Sequence, residues 1–114
     1  MADIRRVSHP FSTADAGTAA TLCIPVTEHM RGQIVRVTTC LGGAISGADS
    51  LVVVSKNATV LGTITIAYTS SAAGDIDYLD IAGVELSVGD FIKIANGGES
   101  TGVAILSGTI DIVR

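Results

Sequence analysis

Apolar and polar residues alternate with a period of two in several short stretches of this chain. Segment 62–67 reads Gly-Thr-Ile-Thr-Ile-Ala. Segment 88–98 has the same alternation of apolar and polar residues, with a Gly-Asp pair before the alternating residues and an Asn-Gly pair after them. A period of two is typical of a β-strand with one buried face, and Gly-Asp and Asn-Gly favour tight turns. The pattern predicts strands at 20–26, 33–41, 50–56, 62–68, 81–86, 91–95 and 102–113.

Parity along the strands predicts which side chains share a face. Residues 52–54 are three consecutive valines, which predicts a strand covered on both sides, either at the centre of a sandwich or by a neighbouring subunit. Gly108 interrupts the last run and marks either a bulge or a close approach of two backbones. The predicted shared faces are Ile64, Ile66 and Tyr68 in one strand, Ile92 and Ile94 in another, and Ala104, Leu106, Ile110 and Ile112 in the last.

Residues 1–18 have no sustained period and are interpreted as an N-terminal arm. Residues 19–114 contain the predicted strands, the turn residues between them and no helical pattern of useful length. We therefore expect an all-β chain with a single domain over 19–114. The predicted architecture is an antiparallel β-sandwich or a jelly-roll-like barrel of seven to eight short strands, preceded by the extended arm.

Composition supports one small domain and argues against nucleic acid and membranes as partners. The 114 residues suit a single domain, and 13 glycines favour turns. The net charge is −4 and Trp is absent, whereas nucleic-acid binding needs a basic face with stacking aromatics. There is no secretory leader pattern and no apolar run of about 18 residues. We therefore expect a soluble protein made in the cytosol, with neither nucleic acid nor membrane as a partner.

An acidic segment that contains Asp75, Asp77 and Asp80 raises the question of a calcium site. The EF-hand pattern fails, because its closing glutamate position falls on Leu86. We interpret the segment as a solvated acidic loop and leave a loose cation site open.

Cysteine and histidine spacing predicts no zinc site, because Cys23, Cys40, His9 and His29 form no C-x-x-C or H-x-x-x-H pair. The two thiols are interpreted as small buried hydrophobes. A disulfide between them requires that their strands be neighbours. No metal or cofactor is therefore expected.

Segment 98–102 fits the G-x-S-x-G pattern of hydrolase nucleophiles. That motif needs a strand before the serine and a helix after it, whereas a further strand is predicted here. Both histidines, His9 and His29, precede the segment, against the chain order of that hydrolase fold. We interpret it as a Gly-rich hairpin loop, and we expect no enzymatic activity and no catalytic residue.

Six stretches, in their order and spacing, resemble a family of small virion proteins of tailed bacteriophages. Each stretch alone is ordinary strand-and-turn sequence, and together they cover about residues 31–114. They are 31–37 (RGQIVRV), 43–49 (GAISGAD), 62–67 (GTITIA), 71–77 (SAAGDID), 88–94 (VGDFIKI) and 96–101 (NGGEST).

The resemblance is to jelly-roll-like capsid decoration (cement) proteins, and it implies a structural role. Members of the family sit on the outside of the icosahedral head, typically as trimers, and clamp neighbouring major capsid subunits against the pressure of the packaged DNA. The implied partner is the major capsid protein, the implied state is a homotrimer, and the implied location is the outer capsid surface of a virion assembled in the host cytoplasm. The family has no catalytic motif to carry over.

The N-terminal segment lies outside the resemblance, and we expect it to make a contact between subunits or with the capsid. It combines two bases with four apolar groups and has no core period; a frayed tail is the alternative. The residues predicted at this contact are Ile4, Arg5, Arg6, Val7, Pro10 and Phe11.

Two other functions remain open from the sequence. One is a receptor- or glycan-binding head-fibre or tail module, for which Tyr68 and Tyr78, with Phe11, are the aromatic candidates to stack on a sugar. The other is a small enzyme or other domain. A fold alone does not decide between these functions.

Overall fold

The computed structural model describes residues 6–13, 19–98, 101 and 104–113, with the backbone alone at residue 6. Within these residues the chain forms eight strands and one short 3-10 helix, Glu28–Met30. The all-β prediction is therefore confirmed. The strands are β1 (Arg6–Ser12), β2 (Ala20–Pro25), β3 (Gly32–Leu41), β4 (Ser50–Lys56), β5 (Thr59–Ile66), β6 (Ile76–Leu86), β7 (Phe91–Asn96) and β8 (Leu106–Val113).

The eight strands form two four-stranded antiparallel sheets. Sheet A has the order β1-β8-β3-β6, and sheet B has the order β2-β7-β4-β5. The first strand pairs with the eighth, the second with the seventh, the third with the sixth and the fourth with the fifth. The chain is thus one long ribbon of strand pairs wound into a sandwich, which is the strand order of a jelly roll.

The core lies between the sheets and is built mainly of aliphatic side chains. Successive residues of a strand point to opposite faces, so each sheet presents one apolar face to the other. The predicted buried faces are confirmed for Ile64, Ile66, Ile92, Ile94, Ala104, Leu106, Ile110 and Ile112, all at most 5% exposed. Tyr68 departs from the prediction, because it lies beyond the end of β5 and is 43% exposed.

The three consecutive valines lie in β4, an interior strand of sheet B. Val52 and Val54 are fully buried in the core, whereas Val53 is half-buried on the outside of the sheet. The chain therefore covers the inner face of this strand and leaves its outer face partly open.

Gly108 marks a close approach rather than a bulge. It lies in β8 opposite Phe11 of β1 and Thr39 of β3, with no register shift at this position. A Cβ here would lie 2.7 Å from Cζ of Phe11 and would collide with the backbone carbonyl oxygen of Thr38. The aromatic ring therefore occupies the space that a side chain would take.

Part of the segment predicted as an arm is instead an edge strand of the sandwich. β1 pairs with β8 from Arg6 opposite Val113 to Ser12 opposite Ser107. Pro10 is tolerated because β1 has a neighbour on one side only. A domain boundary at residue 18 therefore does not separate β1 from the sheet. Residues 1–5 and 14–18 lie outside the described part of the chain.

Candidate functional site: two outer sheet faces

The sandwich exposes the outward side chains of each sheet as a broad surface. Antiparallel register aligns these residues in rows across the four strands. Face A, the outside of sheet A, consists of Ser8, Pro10 and Ser12 from β1, Ser107, Thr109 and Asp111 from β8, Arg36, Thr38 and Cys40 from β3, and Ile76, Tyr78 and Asp80 from β6. Face B, the outside of sheet B, consists of Thr21, Cys23 and Pro25 from β2, Phe91, Lys93 and Ala95 from β7, Leu51, Val53 and Ser55 from β4, and Val60, Thr63 and Thr65 from β5.

Face A carries a row of charged and polar groups across all four strands. Ser8, Asp111, Arg36 and Asp80 are successive cross-strand partners. The Nε of Arg36 donates to Oδ1 of Asp80 over 2.6 Å, and the hydroxyl of Ser8 donates to Oδ1 of Asp111 over 2.6 Å. The row therefore contains two hydrogen-bonded pairs on the surface of the sheet, with Asp111 and Arg36 as cross-strand neighbours between them.

The same arginine also lies against an exposed aromatic ring. Cζ of Arg36 is 4.4 Å from the centroid of the Tyr78 ring, within the range of a cation–π contact. The hydrogen bond to Asp80 is the main cause of a raised pKa of Arg36. Arg36 thus contacts both a carboxylate and a ring, and strand register sets the order of the charges on face A.

Face B has almost no charge. Lys93 is its one charged member among the described residues. Its ammonium lies 5.5 Å from the centroid of the Phe91 ring on the same face. The centre of face B is the row Thr21, Ala95, Val53 and Thr63, which contains only methyl and hydroxyl groups.

The residues predicted for an N-terminal contact have different environments. Ile4 and Arg5, and the side chain of Arg6, lie outside the described part of the chain. Val7 is half-buried, and Pro10 is exposed on face A. Phe11 is only 8% exposed and belongs to the core, so its side chain packs within its own chain rather than presenting a surface for a partner.

The three aspartates considered for a cation do not converge on one point. Asp80 lies on face A and pairs with Arg36, while Oδ2 of Asp75 accepts from the backbone N–H of Ala72 over 2.9 Å. Asp77 lies opposite the buried Thr39, and burial, followed by the charge of Asp75, raises its pKa. Within the described residues no group of three or more histidine, cysteine or acidic side chains is placed to hold a metal ion.

A fourth aspartate, Asp90, joins two turns at one end of the sandwich. Its Oδ2 accepts from the backbone N–H of Ser87 over 2.9 Å, and its Oδ1 accepts from Nδ2 of Asn57 over 3.1 Å. Lys56 lies 3.7 Å away. The hydrogen bond from Ser87 is the main cause of a lowered pKa of Asp90, with Asn57 and Lys56 contributing. Since Asn57 also accepts from the backbone N–H of Phe91, this cluster fixes the ends of β4, β5 and β7.

The two cysteines lie on opposite sides of the molecule. Cys23 is exposed on face B and Cys40 is half-buried on face A, and both thiols are free. A disulfide between them within one chain is therefore excluded, because the whole sandwich separates them. The prediction of buried thiols is wrong for Cys23.

The hydrolase-like segment and a small cleft offer little for chemistry. Thr101 of the segment forms an isolated antiparallel bridge with Ser46, and the next described element is strand β8 rather than a helix. Residues 99, 100 and 102 lie outside the described part. A polar surface cleft of about 360 Å³ is lined by Glu28, Arg31, Gly32, Glu85, Leu86 and Ser87, with Glu28 and Arg31 paired at 3.0 Å.

Neither family models nor curated proteins match the chain. In the part of the chain that the structure describes, no helix has the length and apolar character needed to cross a lipid bilayer.

Proposed function

We propose that this protein is a structural virion component that decorates the outer surface of a bacteriophage capsid. In this role it binds as a homotrimer and stabilises the shell by clamping neighbouring major capsid subunits. The observation that carries the proposal is a jelly-roll scaffold with two outer faces of different chemistry. A cement protein needs two such surfaces, one for its own copies and one for the shell.

The scaffold supports a mechanical role. Its strands alternate between an aliphatic core and the surface, and the Asp90 cluster ties the turns at one end together. Close-packed interiors have low compressibility and transmit strain. A clamp built in this way holds two capsid subunits at a fixed separation without requiring any chemical step.

We propose that face A is the surface that contacts the capsid shell. Its charges are held by the contacts of Arg36 with Asp80 and Tyr78. Charged groups in fixed positions fix the register of a complex and exclude wrong partners more than they add affinity. A decoration protein must select one repeated position on the capsid lattice, and a fixed charge pattern supplies that selectivity.

The test is addition of the purified protein to expanded heads that lack decoration. These heads would be assembled from the major capsid protein of the same virion. We expect the protein to have the mass of a trimer in solution, to co-sediment with the heads up to a fixed number of copies, and to raise their melting temperature. Wild-type protein that fails to bind such heads would defeat the proposal.

Charge reversal on face A tests which surface makes the contact. Arg36→Glu should weaken binding to heads strongly, because it reverses the central charge of the row and releases Asp80 from its partner. Arg31→Glu is the matched control, since Arg31 is an exposed arginine on neither face. Equal binding by both variants would move the capsid contact away from face A without affecting the proposed role.

One observation favours the alternative of a glycan-binding module. Tyr78 is 57% exposed on face A, where an aromatic ring can stack on a sugar. The guanidinium of Arg36 already lies over this ring, so less of the ring surface is available to stack on a sugar. Binding to a glycan array that is lost in Tyr78→Ala, with no binding to heads, would support the alternative.

A further inference from the structure

The four edge strands of the sandwich differ in how readily they can pair with another strand. Edge strands β1 and β2 contain Pro10 and Pro25, and proline cannot donate a ladder hydrogen bond. Edge strands β5 and β6 contain no proline. Each has a run of five residues in plain register with its one neighbour, 62–66 in β5 and 76–80 in β6. Along these runs the outer edge presents backbone N–H and C=O groups that have no strand beside them.

The run in β6 differs from the run in β5 in the side chains that border it. Ile76 and Tyr78 point outward from the β6 run and are 67% and 57% exposed. The outward residues of the β5 run are Thr63 and Thr65. Covering large apolar side chains favours association, so a strand added at β6 gains from side chains as well as from its backbone. The β6 edge is therefore the better site for strand addition.

The charge of this edge argues against a second copy as the added strand. Segment 75–90 contains five acidic residues and no basic one. Two copies that paired through 76–80 would bring Asp77 and Asp80 of one chain close to the same residues of the other. Like charges on paired strands are destabilising. An acidic edge thus prevents self-pairing and leaves a basic strand as its complement.

Asp77 is the acid in this run that a basic partner would stabilise most. Asp80 already has Arg36 as its partner, whereas Asp77 is half-buried opposite Thr39. Burial, followed by the charge of Asp75, raises the pKa of Asp77. Its ionised form is therefore disfavoured in the free protein, and a cationic side chain placed beside it would remove that cost.

We propose that residues 76–80 of β6 bind an extended segment of the major capsid protein as a fifth strand of sheet A. The residues of this segment beside Ile76 and Tyr78 are aliphatic, and the residue between them, beside Asp77, is a lysine or an arginine. Backbone hydrogen bonds supply affinity, and this apolar-basic-apolar pattern supplies selectivity. The inference rests on the proposed function and adds the chemistry of the capsid segment and the strand that receives it.

Hydrogen exchange locates the added strand on the whole protein. Wild type is bound to undecorated heads, and its deuterium uptake is compared with that of free protein by mass spectrometry after acid quench and digestion. We expect amides of 76–80 to exchange more slowly on heads, because the added strand accepts from the outward N–H groups of β6. The amides of 62–66 in β5 should keep their rate.

A lysine on each of two edge strands tests the apolar contact. Ile76→Lys should weaken binding to heads by about tenfold or more, because it removes buried apolar area and opposes the base of the capsid segment. Val60→Lys is the matched control, since Val60 is 61% exposed on edge strand β5, and it should bind like wild type. Circular dichroism confirms that both variants are folded.

Neutralising Asp77 tests the charge contact without loss of stability. Asp77→Asn should bind heads at least about threefold more weakly and with a smaller dependence on salt. This variant is expected to melt above wild type at pH 7, so unfolding would not explain weaker binding. Glu85→Gln is the control, because it removes the same charge from β6 beyond the register shift.

The outcomes separate this inference from the proposed function. Unchanged exchange of 76–80 on heads that do bind wild type would overturn the assignment of β6 and leave the decoration role standing, as would equal binding by Ile76→Lys and Val60→Lys. Exchange of 76–80 that slows with protein concentration in the absence of heads would place a second copy on this edge and overturn the assignment as well. Failure of wild type to bind heads would overturn both.

Discussion

The inner faces of the two sheets are alike, whereas their outer faces are not. Ile110 of sheet A and Ile94 of sheet B are both fully buried in one aliphatic core. Outside, sheet A carries Arg36, Asp80 and Asp111, whereas Lys93 is the one charged residue among the described members of face B. The fold requires apolar side chains only where the sheets meet. The outer positions are free to vary, and their difference therefore carries information about partners.

The largest expected effect tests whether the inner faces are equivalent. Ile110→Ala and Ile94→Ala should each lower the free energy of unfolding by about 3 kcal/mol, because each leaves a cavity in a close-packed core. Denaturant unfolding at one fixed protein concentration measures both values, since association shifts apparent stability. A large difference between the two would mean that the contrast between the sheets extends into the core.

The second prediction concerns the one described place where an aromatic ring covers a glycine in sheet A. Gly108→Ala should lower the free energy of unfolding by about 2 kcal/mol. The added methyl group would meet the ring of Phe11 and the backbone of Thr38, and interior backbone cannot move away readily.

Gly43→Ala is the control for this substitution. A Cβ at Gly43 would lie 3.6 Å from Cβ of Ala104, an ordinary contact distance. Its melting temperature should therefore stay close to that of wild type. A neutral Gly108→Ala would show that β1 does not hold Phe11 against β8 as described.

The smallest expected change in melting temperature comes from substituting two aspartates whose pKa values shift in opposite directions. Asp90 has a pKa below its usual value because it accepts from Ser87 and Asn57. Its stabilising effect is complete above the unfolded pKa of about 3.9 and disappears as the pH falls through the lower folded value. Asp90→Asn should therefore lower the melting temperature at pH 7, and the difference from wild type should close in acid.

Asp77→Asn is the counterpart of opposite sign. Burial raises the pKa of Asp77, so the folded state is more stable when this carboxyl group is protonated. That stabilisation is lost as the pH rises through the pKa of Asp77 in the folded state. This variant should melt above wild type at pH 7, and the gap should shrink as the pH falls below about 4. A shift of the same sign in both variants at pH 7 would contradict the described environments.

Strands with a plain alternation were predictable, and strands with apolar outer faces were not. The interval 50–56 agrees with β4, and the interval 91–95 is within one residue of β7. β6 begins at Ile76, five residues before the predicted start at 81. The prediction missed these residues because Ile76 and Tyr78 point outward although both are large and apolar. Their exposure breaks the expected relation between polarity and face.

The first strand was missed for a different reason. Val7, His9 and Phe11 do alternate with more exposed residues, but Pro10 in the middle argues against a strand unless it lies at a sheet edge. Whether a strand is at an edge depends on the neighbours it acquires, and the sequence of the strand does not contain them.

The sequence by itself determined the class of fold, most of the strands and many of the residues that face the core, because a half-buried strand requires a period of two. Only the tertiary structure decided which outward residues became neighbours. Arg36 and Asp80 are 44 positions apart, and they meet because β3 pairs with β6 in one register. The charged and uncharged faces arise from strand order, since each face is assembled from four distant segments whose pairing no local pattern encodes.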